Sequence, residues 1–358
     1  MSVHFEKIKI KDIKKETPEC VSIAFDMPAL LQKKFAYKHG QHITLRSYIN
    51  GEEIRRSYSL CSSPLSNEWR IAVKKTEGGI FSTHANEKLN IGDELELMPP
   101  MGSFFTELNK ANKKSYVFIA AGSGITPVIS IIKTILATEA NSSVTLVYSN
   151  KTRSSIIFKD ELEALKNKYM QQLSVVYILT KEKTDAAISY GRIDKEKCEL
   201  LFDKLIPINA DEFFVCGPEE MIFTVKDFLQ SKNVDEMKIL FELFGKKKEK
   251  NIKPEEIKVE KTAASISNIS IKLDGVSFDF ELVDNGESIL DAAMDKGIDL
   301  PYSCKGGMCC TCKAKLIEGK VEMDSHYGLE PHELEEGFIL TCQSHPRTEK
   351  VVIDFDVK

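Results

Sequence analysis

The hydrophobic pattern of the sequence changes near residue 112, and this change limits the folds that the chain can adopt. Before it, short segments have the alternating or β-branched character of strands, and Asn50-Gly51 has the composition of a tight hairpin turn. A small antiparallel β-barrel is the economical arrangement for such segments, because closing the sheet removes its exposed edges. From residue 112 to residue 245, strand-like and helix-like segments alternate. This alternation predicts a doubly wound α/β domain with a mainly parallel sheet.

The length of 358 residues favours two or three domains over a single core. Residues 246–265 lack apolar periodicity and are crowded with charge, which predicts a flexible linker. Beyond it, a hairpin-like strand pair, a helix starting near Ser288, a cysteine-rich loop and two further strands indicate a small α+β domain, expected to be of the β-grasp type. The sequence therefore predicts domains at 1–108, 109–245 and 266–358, with the linker before the last.

The chain has no stretch that reads as a membrane span or a signal peptide. The N-terminal residues alternate apolar and charged side chains, and the apolar stretch 117–136 is interrupted by Gly122, Gly124 and Pro127. We therefore expect a cytoplasmic protein without a membrane partner. In that compartment the nine cysteines stay reduced, so a cluster of cysteines indicates metal binding rather than disulfides.

Charge is distributed unevenly along the chain. Residues 266–358 carry 18 acidic and 9 basic side chains, a net charge of −9, so the overall −5 leaves +4 for residues 1–265. An acidic C-terminal domain argues against nucleic acid as its partner. Its charge suits either a solubilising surface or a docking face for a protein, and both interpretations stay open.

Four of the nine cysteines lie in the segment CKGGMCCTC, residues 304–312. Cys304, Cys309 and Cys312 have the spacing C-x4-C-x2-C, and 29 residues separate the last of them from Cys342. This is the plant-type pattern for a [2Fe–2S] cluster, in which one tight loop supplies three thiolates and a distant segment the fourth. The two glycines of the loop suit a backbone that passes close to a cluster.

Two alternatives for this cysteine loop need weighing. Cys310 falls outside the spacing and is interpreted as a packed neighbour of the ligands. Zinc is the competing metal, but structural zinc sites usually combine two short C-x2-4-C units, and only one is present here. The iron–sulfur interpretation is therefore favoured, and zinc stays open.

The predicted barrel contains RSYSL at 56–60 and GGIFS at 78–82. RSYSL alone fits an ordinary edge strand better than a flavin motif. In this order and before an α/β domain, the two segments resemble the ferredoxin–NADP reductase superfamily, whose barrel carries an R-x-Y-S/T flavin motif and a later glycine–serine phosphate turn. An arginine fork suits phosphate, an aromatic face suits a flat ring, and a helix N-terminus suits an anion. The resemblance implies that FAD is held by Arg56 and by Gly79 and Ser82 at its pyrophosphate, by Tyr58 against the isoalloxazine, and by Ser59 at the hydride-accepting edge.

The predicted α/β domain contains two glycine loops, AGSGITP at 121–127 and CGPEEM at 216–221, each after a strand. Pro127 stands where the Rossmann fingerprint requires a small residue, so that fingerprint is not met. The same superfamily has glycine, threonine and proline in the first loop. The resemblance implies that the nicotinamide nucleotide is bound at its pyrophosphate by Gly122, Gly124 and Thr126, and beside its nicotinamide ring by Cys216, Gly217 and Pro218.

The preferred nucleotide should be determined after the second strand of this domain, where the sequence reads SNKTR. The segment has no acidic residue to hold ribose hydroxyls, and Ser149 and Arg153 suit a 2′-phosphate. NADPH is therefore favoured, while NADH stays possible because surface lysine and arginine side chains are often merely solvated. At the end of the domain, the resemblance implies that Glu242 and Phe244 shape the hydride-transfer pocket, although Phe244 also fits a simple core position. The catalytic candidates are thus Ser59, Cys216 and Glu242.

The order of the three parts implies electron transfer from NADPH through FAD and a [2Fe–2S] cluster to a protein partner, as in oxygenase reductases. Residues 304–346, with RSYSLCSSP in support, resemble the reductase subunits of phenylacetyl-CoA epoxidases, the di-iron oxygenase complexes of aerobic phenylacetate catabolism. A reductase for another oxygenase or a desaturase stays open. So does an electron carrier or redox sensor with degenerate nucleotide domains, although the intact glycine loops favour a reductase. Reduction of cytochrome c or ferricyanide by NADPH separates these classes.

Overall fold

A computed structural model describes residues 4–245, 266–283 and 286–357. Phe5–Phe244 form one compact unit, and the described residues from Ile266 onwards belong to a second. The predicted linker, 246–265, lies outside the described residues, and the exact domain boundaries stay predictions. No helix in the described part of the chain is both long and apolar enough to cross a membrane.

The N-terminal part is a six-stranded antiparallel sheet with the strand order β4-β3-β6-β1-β2-β5. Its strands are β1 (Glu6–Thr17), β2 (Cys20–Asp26), β3 (His42–Ile49), β4 (Glu52–Ser59), β5 (Trp69–Lys74) and β6 (Glu94–Leu97), with helix α1 (Ile80–Glu87) before β6. A bridge between Leu60 and Ile71 joins the chain after β4 to β5, which closes the sheet towards a barrel. The predicted hairpin turn at Asn50-Gly51 is present between β3 and β4.

The second part is a five-stranded sheet in which all neighbouring strands are parallel, in the order β11-β10-β7-β8-β9. Its strands are β7 (Ser115–Ala121), β8 (Ser143–Asn150), β9 (Leu173–Leu179), β10 (Glu212–Gly217) and β11 (Ile239–Leu243), and its helices are α2 (Ile125–Thr138), α3 (Lys159–Lys168), α4 (Lys195–Lys204) and α5 (Glu219–Ser231). The predicted doubly wound fold is confirmed. Helix α4 escaped the sequence pattern, and Asp194 caps it by accepting a hydrogen bond from the Lys197 amide.

The strand order changes direction between β7 and β10. The chain runs outwards from β7 to β9, then returns to the other side of β7 to form β10 and β11. In open parallel sheets, ligands bind where the order reverses, because the loops after the two central strands diverge there. The glycine loops that follow β7 and β10 are therefore next to each other.

The barrel and the parallel sheet share one apolar core, which explains why they form a single unit. Cys20, Cys61 and Ala72 of the barrel belong to the same buried cluster as the apolar face of α2. Polar contacts reinforce the junction: the Ser130 hydroxyl of α2 donates to the Ser62 carbonyl at 2.6 Å. The barrel is thus fixed relative to the loops of the parallel sheet.

The C-terminal unit is a mixed sheet in the order β13-β12-β18-β14-β16, with β12 parallel to β18. Its elements are β12 (Ile266–Leu273), β13 (Val276–Val283), α6 (Ile289–Asp295), β14 (Lys313–Glu318), β15 (Val321–Met323), α7 (Pro331–Glu335), β16 (Phe338–Leu340), β17 (Ser344–Pro346) and β18 (Lys350–Asp354). Helix α6 begins directly after Ser288, near its predicted start, and Ser288 caps it by accepting a hydrogen bond from the Asp291 amide at 3.1 Å. A helix packed on one mixed sheet confirms the predicted β-grasp type of α+β domain; the short strands β15, β16 and β17 were not predicted.

Candidate functional site

The three catalytic candidates meet where the barrel touches the end of the parallel sheet. Ser59 is the last residue of β4, and its hydroxyl donates to Oε2 of Glu242 at 3.4 Å. Glu242 lies on β11 directly opposite Cys216 of β10, which is completely buried. Residues that are far apart in sequence therefore form one pocket, although the catalytic role of each stays a prediction.

His42 also belongs to this pocket and was missed by the sequence patterns. It is the first residue of β3 and lies opposite Ser59 in the antiparallel register. Its Nδ1 is 3.9 Å from Oε1 of Glu242, and its buried Nε2 has no hydrogen-bond partner. Only the register between β3 and β4 could have indicated this neighbour, because a single histidine at a strand start has no distinctive spacing.

Burial controls the charge of these groups. The Glu242 side chain is 15% exposed, and burial raises the pKa of its carboxyl group to about 8, with the Ser59 hydrogen bond acting in the opposite direction. Burial lowers the pKa of His42 to about 4 and raises that of the Cys216 thiol well above its usual value. At neutral pH the pocket therefore holds a protonated carboxyl group, a neutral imidazole and a thiol.

The raised pKa of Glu242 predicts a pH-dependent cost in stability. The folded state keeps this proton up to about pH 8, whereas the unfolded chain releases it near pH 4.5. Between these values the unfolded state binds fewer protons, so this group lowers stability as pH rises. Because glutamine cannot ionise, we expect Glu242→Gln to gain stability relative to the unmodified protein over this range, measured as the denaturation midpoint reported by flavin fluorescence.

The exposed Glu199 provides the control for this measurement, since 53% of its side chain is accessible. Glu199→Gln should show a difference in midpoint that does not grow between about pH 5 and about pH 8. A pH-independent difference for Glu242→Gln would contradict the inferred proton on the buried carboxyl group.

The glycine loops after β7 and β10 touch through their backbones. A Cβ atom on Gly124 would lie 2.1 Å from the Cys216 carbonyl oxygen and 2.9 Å from the Gly217 nitrogen. Only glycine permits this approach. The contact holds the candidate pyrophosphate loop against the candidate nicotinamide loop.

We expect Gly124→Ala to separate these loops. The added methyl group must displace backbone, which typically costs about 1–3 kcal/mol in a packed region. The affinity for the nicotinamide nucleotide should fall about tenfold or more, a loss of about 1.4 kcal/mol, measured by calorimetric titration of the flavin-bound protein with NADP⁺. Gly245→Ala is the matched control because no atom lies within 4 Å of its added Cβ; equal affinities in the two variants would contradict the expectation.

The candidate flavin residues occupy the same side of the barrel. Arg56 is exposed on β4, and the Tyr58 ring lies 5.7 Å from the Phe81 ring, centroid to centroid. Gly79 precedes α1 as its N-cap residue, and the Ser82 hydroxyl donates to the Gly79 carbonyl at 3.2 Å. An exposed guanidinium, a half-buried aromatic ring and a helix N-terminus fit the phosphate and ring portions of FAD.

The candidate nucleotide residues surround the start of α2. Gly122 has a φ of 55°, and its carbonyl accepts from the Tyr148 hydroxyl at 2.9 Å. The Thr126 hydroxyl donates to the Ser123 carbonyl at 3.0 Å. These bonds fix the loop at the point where a helix N-terminus suits an anion, so the residues fit a pyrophosphate.

The proposed 2′-phosphate residues do not lie together on the surface. Ser149 is buried on β8, whereas 68% of the Arg153 side chain is exposed. Glu182, which follows β9, accepts a hydrogen bond from the Arg153 amide at 2.7 Å and lies 3.9 Å from its Nε atom. A carboxylate therefore stands beside the predicted phosphate-binding arginine, which the local sequence could not show.

The remaining candidates lie at the ends of β10 and β11. Gly217 ends β10, and Pro218 is the N-cap residue of α5. Phe244 follows β11 and is 45% exposed, so it is not a core residue. Phe244 follows the strand that carries Glu242, and its contact with the flavin stays a prediction.

The four predicted cluster ligands form two pairs in the C-terminal unit. The Cys309 thiol donates to Cys304 Sγ at 3.3 Å, and the Gly306 amide donates to the same sulfur at 3.4 Å. Hydrogen bonding from the Cys312 thiol lowers the pKa of Cys342, as the Cys309 thiol lowers that of Cys304 to about 5. In each pair the same hydrogen bond that favours one thiolate raises the pKa of its partner, Cys309 or Cys312. Two pairs of sulfurs fit two irons.

The loop that carries the first three of these cysteines has a tight conformation. Gly307 has a φ of 73°, and a Cβ there would lie 2.7 Å from the Ser325 carbonyl oxygen, so the loop can be this tight only with glycine. Burial raises the pKa of Cys20, Cys61 and Cys198 to about 12, which makes these distant thiols poor ligands.

Comparison with known proteins agrees with this division of the chain. Residues 7–105 match the oxidoreductase FAD-binding domain family, residues 118–227 the oxidoreductase NAD-binding domain family, and residues 271–347 the 2Fe-2S iron-sulfur cluster binding domain family. The chain thus contains FAD-binding, NAD-binding and 2Fe–2S domains, and it is an oxidoreductase. These matches do not distinguish NADPH from NADH.

Two relatives and one solved structure are similar to this chain over nearly its whole length. The chain is 41% identical to a component of the 1,2-phenylacetyl-CoA epoxidase of Escherichia coli, covering 99% of this chain and 98% of that protein. It is 34% identical to the ferredoxin reductase component of the Rhodococcus rhodochrous 3-ketosteroid-9-alpha-monooxygenase, covering 97% and 96%. The structure of phthalate dioxygenase reductase shares the fold, with a TM-score of 0.59, 24% identity and 98% coverage of both chains. This chain therefore belongs to the family of flavin- and iron–sulfur-containing oxidoreductases that serve as the reductase components of oxygenases.

Proposed function

We propose that this protein is the reductase component of a phenylacetyl-CoA epoxidase, working in the cytoplasm and passing electrons from NADPH to a di-iron oxygenase. The observation that carries the proposal is the 41% identity to the Escherichia coli epoxidase component over nearly the whole of both chains, compared with 34% for the steroid monooxygenase reductase. The resemblance of residues 304–346 to epoxidase reductases agrees with this identity.

Flavin accepts two electrons as a hydride and the iron–sulfur cluster carries one electron at a time, so the two groups together convert a two-electron donor into single electrons. The protein contributes position and electrostatics. Gly124 and Cys216 hold the two nucleotide loops together through backbone contact, so a nicotinamide held beside Cys216 would lie near Glu242 and Ser59. Glu242 keeps its proton at neutral pH, so it is available as an acid beside Ser59 and adds no negative charge to the candidate hydride-transfer pocket.

The cysteine loop serves the second half of the reaction. Cys304 is exposed, whereas Cys309, Cys312 and Cys342 are buried. Three of the four candidate ligands are thus shielded from water, whereas the fourth lies at the surface, where an acceptor protein can approach. The net charge of −9 on residues 266–358 supports a basic acceptor surface.

Reconstitution tests the proposed partner. The protein is combined with the oxygenase subunits of a phenylacetyl-CoA epoxidase, and NADPH consumption is measured with and without phenylacetyl-CoA. We expect consumption that depends on both the oxygenase and the substrate, with formation of the epoxide. Uncoupled consumption only, together with efficient support of a 3-ketosteroid monooxygenase, would assign the chain to another oxygenase.

The exposed guanidinium of Arg153 supports NADPH as the preferred donor. We expect Arg153→Gln to weaken binding of 2′,5′-ADP about fivefold, equivalent to about 1 kcal/mol for one charge-assisted contact, while binding of ADP is unchanged. Calorimetric titration of the flavin-bound protein measures both ligands. Lys204→Gln is the control because this lysine is 60% exposed at the end of another helix.

Glu182→Gln is the matched variant for this measurement. Its carboxylate lies beside Arg153 and competes with a phosphate for the guanidinium. Removing that charge should therefore strengthen 2′,5′-ADP binding about threefold or more. If Arg153→Gln weakens both ligands equally, the arginine does not read the 2′-phosphate and the preference for NADPH fails.

A further inference from the structure

The Ser325 hydroxyl is a buried polar group that the electron-transfer scheme above does not use. Ser325 lies two residues after β15 and is 5% exposed. No residue that the structure describes makes a hydrogen bond with its Oγ atom. Removing a hydroxyl group from water without giving it a partner is unfavourable, and nearly all buried hydroxyl groups in folded proteins are satisfied. We therefore expect a bound group to supply the acceptor.

The register of the β15–β17 ladder places Ser325 beside Cys342. The antiparallel ladder continues one step past its two strands, because the Asp324 amide donates to the Gln343 carbonyl at 3.0 Å in the same register. Cys342 precedes Gln343 in a short 3-10 turn, so the next step of the register brings Ser325 to Cys342. Residues that face each other across an antiparallel pair are neighbours in space. Ser325 is therefore next to the fourth predicted cluster ligand.

The cysteine loop approaches Ser325 from another direction. A Cβ on Gly307 would lie 2.9 Å from the Ser325 Oγ atom and 2.7 Å from the Ser325 carbonyl oxygen, so the loop backbone passes directly against this residue. The Gly328 amide donates to the Gly307 carbonyl at 2.8 Å, which fastens the segment that carries Ser325 to the loop. The free hydroxyl thus stands between the loop that holds three predicted ligands and the segment that holds Cys342.

We propose that the Ser325 hydroxyl donates a hydrogen bond to a sulfur on the Cys342 side of the bound [2Fe–2S] cluster and thereby favours the reduced cluster. Reduction adds one negative charge to the cluster, so a donor at one of its sulfurs stabilises the reduced form more than the oxidised form. Ser325 is a positioning residue and not a metal ligand. This inference rests on the ligand role predicted for Cys342, and it does not depend on which oxygenase accepts the electrons.

A redox titration of the full-length protein tests the effect on the cluster. Dithionite supplies the electrons, and the electron paramagnetic resonance signal of the reduced cluster is followed against the potential. In Ser325→Ala the equilibrium constant for one-electron reduction should fall about tenfold, a shift of about 59 mV to a more negative potential. Ser267→Ala is the control, because Ser267 is also 5% exposed but its hydroxyl donates to the Thr348 carbonyl at 2.8 Å. Its potential should equal that of the unmodified protein.

The pair Ser325→Thr and Ser325→Val covers the case in which Ser325→Ala loses the cluster. Threonine and valine have nearly the same shape, and only threonine carries a hydroxyl group. We expect the threonine variant to keep the potential of the unmodified protein and the valine variant to have a more negative one. Electron–nuclear double resonance of the reduced cluster in H₂O and D₂O gives a second measurement: one exchangeable proton seen in the unmodified protein and in Ser325→Thr should be missing in Ser325→Val.

Equal potentials for the threonine and valine variants would overturn the proposal. So would a shifted potential with an unchanged set of exchangeable protons, because the serine would then act through packing or an ordered water. These measurements use neither NADPH nor an oxygenase. Failure of the epoxidase reconstitution would therefore sink the proposed function and leave the Ser325 result intact, whereas an unmodified protein without a reduced-cluster signal would overturn the role of Ser325 and the ligand assignment together.

Discussion

Cys312→Ser should leave a protein that accepts electrons from NADPH but cannot pass them to the oxygenase. Cys312 is 2% exposed and interacts with Cys342, so a serine there removes one of four thiolates from a site that excludes water. Serine oxygen is a poor ligand for an iron–sulfur cluster, which is held by soft thiolates. We expect iron and sulfide to fall to nearly zero, whereas the flavin band still bleaches with NADPH.

The neighbouring thiol supplies the control for this experiment. Cys310 lies two positions before Cys312 but falls outside the ligand spacing. Cys310→Ser should retain its iron, its sulfide and its oxygenase-coupled activity. The ligand assignment fails if Cys310→Ser loses the cluster, or if Cys312→Ser retains a full complement of iron and sulfide.

The second large effect is expected at the flavin. Glu242→Gln should slow reduction of the flavin by NADPH by about 100-fold, the lower end of the range for losing a positioned acid. The amide keeps the shape of the side chain, so loss of flavin is not expected. It cannot release a proton, and this is why the rate should fall. Stopped-flow measurement of flavin bleaching under anaerobic conditions gives the rate directly, and the flavin content of the purified variant shows whether the cofactor is retained.

Ser59→Ala and Glu236→Gln complete this test. Ser59 donates to Glu242 at 3.4 Å, so its loss should also slow the reaction. Glu236 lies just before β11, and its side chain is 66% exposed. Glu236→Gln should therefore leave the rate of flavin reduction unchanged. Rates for Glu242→Gln and Ser59→Ala within about twofold of the unmodified protein would remove both residues from the hydride-transfer pocket.

Local patterns in the sequence were sufficient for the architecture. The alternation of strands and helices after residue 112 predicted the parallel sheet, because each strand that must return to a neighbouring parallel position requires a crossover. The spacing of Cys304, Cys309 and Cys312 predicted a metal loop, because ligands on one tight loop must be close in sequence. Helix α4 and the short strands of the C-terminal unit were missed, since short segments have too few residues to display a period.

The sequence by itself therefore determined the kinds of domain and the cysteines of the loop, since both depend on residues that are near each other along the chain. Tertiary structure alone decided the rest. The strand order of the parallel sheet brings Glu242 to Ser59 across 183 positions, and the β3–β4 register adds His42. The loop after β9 places Glu182 beside Arg153. These contacts depend on crossovers and register, which set distances between segments and leave no periodic trace within any one of them.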